Sequence, residues 1–247
     1  MRSRLAFAII VYSLIVGAAW GRDLTIGVEE INYAPYYHSE RDEYQGFARE
    51  YFDAFAAEYG YRFRYRTLPI ARLYRELVAG KVDFKFPDHP YWGKEYKAGV
   101  EISYSKPIVG FVDGVMVLSE RKDITLKEFT KVGYVRGFTP WMLMPYIESG
   151  KVKSTEVNSW KSVFKLALNR RVDGAYYNVQ VAEAIMKQEF GGEQSLEFAP
   201  KLPHDKANYH LSSVNQKKVL QKLDEFAKSP QANALRKKYG LSVYELE

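Results

Sequence analysis

The chain has 247 residues, of which 47% are hydrophobic and 27% are charged, and its formal net charge is +6. The absence of cysteine excludes disulfides, cysteine-based metal sites and cysteine nucleophiles. The lysines and arginines are scattered without a dense basic stripe, which argues against a nucleic-acid-binding protein. The length suits one large domain or two lobes of about 100 residues each.

The N-terminus has the pattern of a secretory signal peptide. The basic start MRSR precedes the uncharged run LAFAIIVYSLIVGAAW, and the small residues Ala19 and Gly21 stand before a cut ahead of Arg22. An uncleaved membrane anchor is the alternative, because the apolar run is close to the minimum length that spans a bilayer. We expect residues 1–21 to be removed, since small residues close the run and polar sequence follows. Cleavage predicts a periplasmic protein with a net charge of about +4.

The first half of the remaining sequence alternates between strands and helices. LTIGVEE predicts a strand, and aromatic residues four apart in GFAREYFDAFAAEYG predict an amphipathic helix that ends at Gly60. YRFRYRTL predicts a half-buried strand, and ARLYRELVAGKVDF predicts a helix, a glycine stop and another strand. This order is typical of an α/β layer with parallel strand pairing.

The pattern restarts after residue 112. Strands are predicted at GVMVL, KVGYV, STEV, VDGAYYN and NYHLSSV, and helices at WKSVFKLALNRR, VQVAEAIMKQEF and QKKVLQKLDEFAKS, with a short helix in GFTPWMLMPYIESG. LYRELVAGKVDF and VFKLALNRRVDG both run from a helix through a turn to Val-Asp and a strand. Ligands of doubly wound units bind beyond the carboxyl ends of strands. We therefore expect Lys85 onward and Tyr176 onward to face one cleft.

The segment KFPDHPYWGKEYK, residues 85–97, combines prolines, aromatic residues and lysines. It has two interpretations, a solvated surface loop and the wall of a binding site. Its prolines argue against a regular element. Its position after a parallel strand favours the wall of the cleft.

Taken in order and spacing, YAPYY, GFAREYFDAFAAEYG, ARLYRELVAGKVDF, YSKPI, KVGYVRGFT and RRVDGAYYN make the chain resemble the family 3 extracellular solute-binding proteins of the polar amino-acid-binding type. The resemblance implies a type II periplasmic-binding-protein fold of the α/β class, with two lobes that are each a sheet flanked by helices. Lobe 1 would comprise residues 22–111 and 213–247, and lobe 2 residues 112–212. Two hinge strands, near Phe111–Val117 and Tyr209–Val214, would let the lobes close over a ligand.

The resemblance also implies a set of ligand contacts. Glu30, Tyr33 and Tyr36 match the first-loop region that lines the family's cleft, although ordinary lobe packing is an alternative for Tyr36. The turn RGFTP matches the segment that binds a ligand carboxylate, with Thr139 as helix N-cap and Pro140 at the first helical position. The predicted ligand-binding residues are Glu30, Tyr33, Tyr36, Arg72, Asp88, Tyr91, Trp92, Lys94, Arg136, Phe138, Thr139 and Asn178.

Two anchors of the family are altered in this sequence. The arginine that holds an α-carboxylate in the family has no counterpart in PYWGKEYKAGVEI. Its position falls on Ala98 when counted back from YSKPI, and near Lys94 or Glu95 when counted forward from KVDF. Asn178 stands where a carboxylate meets the ligand ammonium in the family, and an amide cannot neutralise an ammonium. These changes disfavour a standard α-amino acid. The surrounding aromatic residues favour an aromatic, cyclic or cationic ligand.

These features predict a periplasmic substrate-binding protein that closes over a small polar solute, which is amino acid-like, an amine or an organic acid, for an ABC-type importer. We expect an inner-membrane permease or receptor as partner, a monomer, and no cofactor, metal or nucleic acid. A sensor that presents its ligand to a membrane receptor is the alternative. A dehydratase-like enzyme is the least favoured, because the acid/base candidates Asp88 and His89 point in opposite directions on an extended chain.

Overall fold

The computed structural model describes residues 22–40, 43–189 and 195–245. The predicted signal peptide lies outside these ranges. Within them, no helix has the length and apolar character needed to cross a membrane.

The sequence folds into alternating strands and helices. The strands are β1 (Arg22–Glu29), β2 (His38–Glu40), β3 (Glu43–Gln45), β4 (Tyr61–Leu68), β5 (Phe84–Asp88), β6 (Ser103–Tyr104), β7 (Val109–Leu118), β8 (Lys131–Val135), β9 (Lys153–Val157), β10 (Gly174–Asn178), β11 (Leu196–Phe198) and β12 (Asp205–Ser213). The α-helices are α1 (Phe47–Tyr59), α2 (Ile70–Val78), α3 (Lys94–Lys97), α4 (Met144–Glu148), α5 (Trp160–Leu168), α6 (Val179–Glu189), α7 (Lys217–Phe226) and α8 (Pro230–Lys238).

The main sheet passes through both lobes in the order β4-β1-β5-β12-β7-β10-β8-β9. In the first lobe β1 pairs in parallel with β4 and β5, and in the second β8 pairs in parallel with β9 and β10. Between them β7 and β12 are antiparallel over Val109–Asp113 and Asp205–Tyr209 and connect the lobes. This confirms the predicted two-lobed α/β fold of type II. The pairing of these two hinge strands begins a few residues before both predicted hinge segments, and the lobe boundaries stay predictions.

Helix α1 confirms the aromatic pattern of the sequence. Phe47, Tyr51 and Phe55 are fully buried on one face of it. The helix ends at Gly60, whose φ of 71° lies in the left-handed region that glycine adopts without steric cost. The aromatic face of α1 thus forms much of the first-lobe core.

The segment 85–97 is more regular than its prolines predicted. Strand β5 continues through Pro87 to Asp88, and Lys94–Lys97 form the short helix α3. Pro87 is tolerated because it lies where the pairing of β5 with β12 shifts register, so no ladder hydrogen bond requires its missing N–H. The prediction that this segment has no regular element is therefore wrong.

The predicted N-cap in RGFTP is also wrong. A 3₁₀ turn at Trp141–Leu143 precedes α4, and the cap position of that turn is Pro140. The Thr139 carbonyl accepts a hydrogen bond from the Trp141 N–H at 2.8 Å. A different proline sets the start of α4, because Pro145 lacks an N–H and fits only the first turn of a helix.

The C-terminal tail crosses the hinge strands. The Gly110 N–H of β7 donates to the Ser242 carbonyl at 2.6 Å. Asn208 of β12 bonds the Tyr244 backbone twice, accepting from its N–H at 2.8 Å and donating to its carbonyl at 2.9 Å. The end of the chain therefore holds both hinge strands together.

Candidate ligand-binding site

A cavity lies between the lobes. Six of its eleven lining residues carry aromatic rings. The first lobe contributes Glu29, Tyr33, Tyr74, Pro87 and Trp92, the hinge strands contribute Asp113 and Tyr209, and the second lobe contributes Gly137, Phe138, Thr139 and Tyr176. A concave, mostly apolar site with a few polar groups is the usual form of a small-molecule pocket.

The lobes contact each other beside this cavity. The Tyr33 ring of the first lobe lies 5.5 Å from the Tyr177 ring and 6.1 Å from the Phe138 ring of the second. Gly137 has a φ of +92°, and a Cβ there would stand 3.0 Å from the Cβ of Ile70 in the first lobe. Glycine is required at this turn for both its conformation and the close approach of the lobes.

A second contact between the lobes lies farther out and consists of Tyr91, Lys94 and Trp141, here called the mouth cluster. The Tyr91 and Trp141 rings are stacked, with centroids 5.1 Å apart and planes inclined by 8°. The Lys94 ammonium lies 4.4 Å from the Trp141 centroid, within cation–π distance. The mouth cluster therefore joins first-lobe and second-lobe side chains in the closed arrangement.

The first-lobe wall contains a buried carboxylate with hydrogen-bond and ionic partners. Glu29 accepts a hydrogen bond from the Tyr37 hydroxyl at 2.7 Å and lies 3.3 Å from the Lys85 ammonium. Burial raises the pKa of Glu29, and the charge of Lys85 opposes that rise. Lys85 itself is fully buried and also donates to the Pro87 carbonyl.

Behind this wall lies a second buried ion pair. The Lys97 ammonium donates to Asp88 Oδ1 at 2.8 Å and to the His89 carbonyl at 3.0 Å. Asp88 also accepts the His89 N–H at 2.8 Å. Burial lowers the pKa of the His89 imidazole to about 4, and the nearby His210 adds to the decrease. This pair braces the segment that carries Trp92.

The second-lobe side of the hinge carries a row of polar residues. Asp113 of β7 stands directly opposite Asp205 of β12 on one side and Asn178 of β10 on the other. Asp113 is only 7% exposed, and its buried Oδ1 has no hydrogen-bond partner among the described residues. Burial raises the pKa of Asp113 well above its ordinary value, Asp205 adds to the increase, and the Asn178 amide opposes it.

Four of the twelve predicted ligand-binding residues line the cavity, namely Tyr33, Trp92, Phe138 and Thr139. Tyr91 and Lys94 lie in the mouth cluster. Asp88 is buried behind the wall with Lys97.

The remaining predicted residues lie elsewhere. Glu30 is exposed, and Tyr36 is buried with its hydroxyl donating to the Gly110 carbonyl at 3.0 Å. Arg72 pairs with Glu76 at 2.9 Å, and Arg136 with Glu156 at 3.4 Å. Asn178 donates to the Tyr209 hydroxyl at 3.2 Å and accepts from the Val181 N–H at 3.0 Å, which caps α6. These positions do not test ligand contact, which stays a prediction for all twelve.

Sequence reasoning missed two acids that line the cavity, Glu29 and Asp113. Both had a signal in the sequence. Glu29 directly precedes the predicted Glu30, and Asp113 is the single charged residue of the apolar strand VGFVDGVMVL. A lone acid in a buried strand is costly, so such a residue is a candidate for function.

A sequence profile of the bacterial extracellular solute-binding proteins, family 3, matches residues 24–242. The chain belongs to this family. The predicted resemblance is confirmed, and so is the general role of solute binding. Among the described residues, no group of three or more His, Cys, Asp or Glu side chains could hold a metal ion.

Solved structures share the fold at low sequence identity. An ancestral arginine-binding protein bound to arginine has a TM-score of 0.71 and 17% identity, over 89% of this chain and 99% of that one. An amino acid ABC transporter substrate-binding protein from Streptococcus pneumoniae, bound to L-arginine, has a TM-score of 0.69 and 13% identity, over 88% and 92%. The VFT2 domain of Bordetella pertussis BvgS has a TM-score of 0.68 and 15% identity, over 88% and 92%. No curated protein sequence matches the chain.

Proposed function

We propose that this protein is the periplasmic substrate-binding component of an ABC-type importer and closes over a small polar solute. The supporting observation is the cavity whose walls come from both lobes. A solute that contacts both walls binds the closed form better than an open form. It therefore shifts the equilibrium toward closure by its difference in affinity.

The proposal includes the finer assignments made from the sequence. The mature chain begins after a cleaved leader of residues 1–21. Its first lobe comprises residues 22–111 and 213–247, and its second lobe residues 112–212. The closed monomer delivers its solute, which is amino acid-like, an amine or an organic acid, to an inner-membrane permease.

The test begins with purified protein and a panel of amino acids, amines and organic acids. A solute that binds only the folded state raises the unfolding midpoint, and the stabilisation grows with the logarithm of one plus its concentration over its Kd. Native mass spectrometry of protein purified from the periplasm adds an independent search for a bound solute. We expect at least one member of the panel to raise the midpoint. A panel without any stabilising member, together with no co-purified mass, contradicts the proposal.

A cavity variant locates that binding. Phe138 lines the cavity and stacks on Tyr177 at 5.4 Å, so Phe138→Ala should weaken binding of the stabilising solute by about tenfold. Met142 lies in the following turn, is 41% exposed and does not line the cavity. Met142→Ala is therefore the matched control and should change the Kd by less than about twofold. Equal Kd values for Phe138→Ala and the control would place the binding site elsewhere.

An uptake assay separates transport from presentation to a receptor. Cells that lack the protein should lose uptake of the identified solute and regain it when the chain is returned. A module that presents its ligand to a membrane receptor would bind the same solute without restoring uptake.

A further inference from the structure

We propose that the ligand is an organic cation, an amine or quaternary ammonium with a small apolar body, and that Asp113 is its charge partner. This inference rests on the proposed function, because it names the class of solute for the same cavity.

Asp113 is a buried carboxylate that lines the cavity without a cation of its own. It is 7% exposed, and its Oδ1 lacks a hydrogen-bond partner among the described residues. None of the ion pairs formed by those residues includes Asp113 or its neighbour Asp205. Buried charges are ordinarily paired, so an unpaired acid facing a cavity indicates a partner that arrives with the ligand.

Asp113 is a cross-strand neighbour of the residue at 178. The resemblance to the family placed an ammonium-binding carboxylate at position 178, where this chain has asparagine. Asp113 lies directly opposite Asn178 across β7 and β10. Side chains so paired have Cβ atoms about 4.5–5.5 Å apart, so the Asp113 carboxylate lies beside the Asn178 amide.

The cavity offers no matching partner for a ligand carboxylate. No lysine or arginine is among the described residues that line it. The two buried lysines of the first-lobe wall are occupied, since Lys85 lies 3.3 Å from Glu29 and Lys97 lies 2.8 Å from Asp88. An anionic or zwitterionic ligand would bring its carboxylate into a cavity that already contains Glu29 and Asp113. This arrangement selects against acids and standard amino acids.

The aromatic lining fits the same class of ligand. Ring faces attract ammonium groups, and they also pack against an apolar body. The rings are those of Tyr33, Tyr74, Trp92, Phe138, Tyr176 and Tyr209. The raised pKa of Asp113 agrees with this, because burial and Asp205 disfavour its ionised form until a cation is present.

The first experiment uses matched sets of probes that share a body and differ in charge. One set is 2-phenylethylamine, 3-phenylpropionate and phenylalanine, and a second is pentylamine, hexanoate and norleucine. Choline and 3,3-dimethylbutanol form a third pair that differs only in the cationic centre. Unfolding midpoints and calorimetric titration measure binding of each probe. We expect the cationic member of at least one set to bind at least about tenfold more tightly than the others.

The second experiment removes the charge while keeping the shape. Asp113→Asn should reduce the affinity for the bound cation by about tenfold or more and leave the unfolding midpoint of the free protein unchanged or higher. Asp123→Asn is the control, because Asp123 is an acid of the same lobe that is 71% exposed and pairs with Lys201. It likewise replaces a carboxyl group with an amide and should leave cation affinity within about twofold.

The outcomes separate this inference from the function on which it rests. Binding of acids or zwitterions without binding of cations overturns the cation assignment but keeps a solute-binding protein. Tight cation binding that Asp113→Asn leaves unchanged overturns the role of Asp113. Absence of binding by every probe and every member of the wider panel overturns both. Should Asp113→Asn fold poorly, the charge preference of the unaltered protein within each set decides the ligand class.

Discussion

The two walls of the cavity handle buried charge differently. In the first lobe each buried carboxylate near the cavity has a lysine within 3.3 Å, Lys85 for Glu29 and Lys97 for Asp88. In the second, Asp113 faces another carboxylate across the hinge strands and has no such partner among the described residues. The buried acids of the first wall are paired with lysines, and Asp113 is not paired with a cation among the described residues.

This difference predicts that the paired acids contribute to stability and that the unpaired acid contributes to ligand recognition. Breaking a buried ion pair leaves one charge without compensation, which destabilises a fold strongly. Removing an unpaired buried charge has no such cost. We therefore expect substitutions of first-lobe acids to change folding and the substitution of Asp113 to change binding.

The largest expected effect tests this contrast with one chemical change at two sites. Asp88→Asn leaves the buried Lys97 ammonium without its carboxylate, and it should reduce the free energy of unfolding by about 3–5 kcal/mol. Asp113→Asn should not reduce it. Urea unfolding at pH 7 measures both variants. The contrast fails if the two variants lose similar stability.

The mouth cluster gives a smaller effect. The ammonium group of Lys94 in the first lobe lies over the ring of Trp141 in the second lobe. Trp141→Ala removes this contact and the stacking on Tyr91, which together are worth about 1–2 kcal/mol. The free protein should shift toward an open form with a larger radius of gyration in small-angle X-ray scattering. Met142→Ala should not change the radius, and an unchanged radius for both would show that the mouth cluster does not hold the lobes together.

The smallest effect is a pH dependence of opposite sign in the two lobes. The lowered pKa of His89, about 4, keeps it neutral when folded, whereas the unfolded imidazole gains a proton below about 6.5. Its contribution to stability is therefore present above about pH 6.5 and is lost as the pH falls toward 4. Three charged or titratable groups act on the pKa of His89: Asp88 opposes its decrease, whereas His210 and Lys97 contribute to the decrease.

The raised pKa of Asp113 acts in the other direction. The folded protein binds this proton at a higher pH than the unfolded chain, so acid favours folding at this site. Asp113→Asn should therefore steepen the loss of stability in acid, and His89→Gln should flatten it. We expect each change between pH 6.5 and 5.5 to be at most about 1.4 kcal/mol, which is the effect of one full proton per pH unit. Unfolding free energies at four pH values measure the slopes, and slopes equal to that of the unaltered protein would contradict the assignment.

Periodicity predicted the fold well where one face of an element is buried. The aromatic face of α1 was visible from its spacing, because a helix that packs on one side repeats every three to four residues. Helix α8 was missed, since its sequence PQANALRKK is polar and only Ala232 and Arg236 are buried in it. The contacts of α8 depend on neighbours that a local pattern does not reveal.

The acids of the cavity show a different limit. Strand β1 is buried on both faces from Ile26 to Glu29, so its period of two could not tell whether Glu29 or Glu30 faces inward. Identifying Asp113 as a site residue required knowledge of the strand register, because the register places it opposite Asn178. Register between distant strands depends on tertiary packing, and one sequence does not specify it.

The packing of the C-terminal part of the chain against the first lobe and the hinge has a consequence for the order in which the two lobes are completed. The first lobe contains contacts between early and late parts of the chain: Arg236 of α8 donates to the Ile108 carbonyl at 2.7 Å and contacts the Tyr51 hydroxyl, 185 residues earlier, at 3.3 Å. Contacts between such distant residues form slowly and only after the later segment is available. As the chain emerges from its N-terminus, the lobe that begins first is the one completed last.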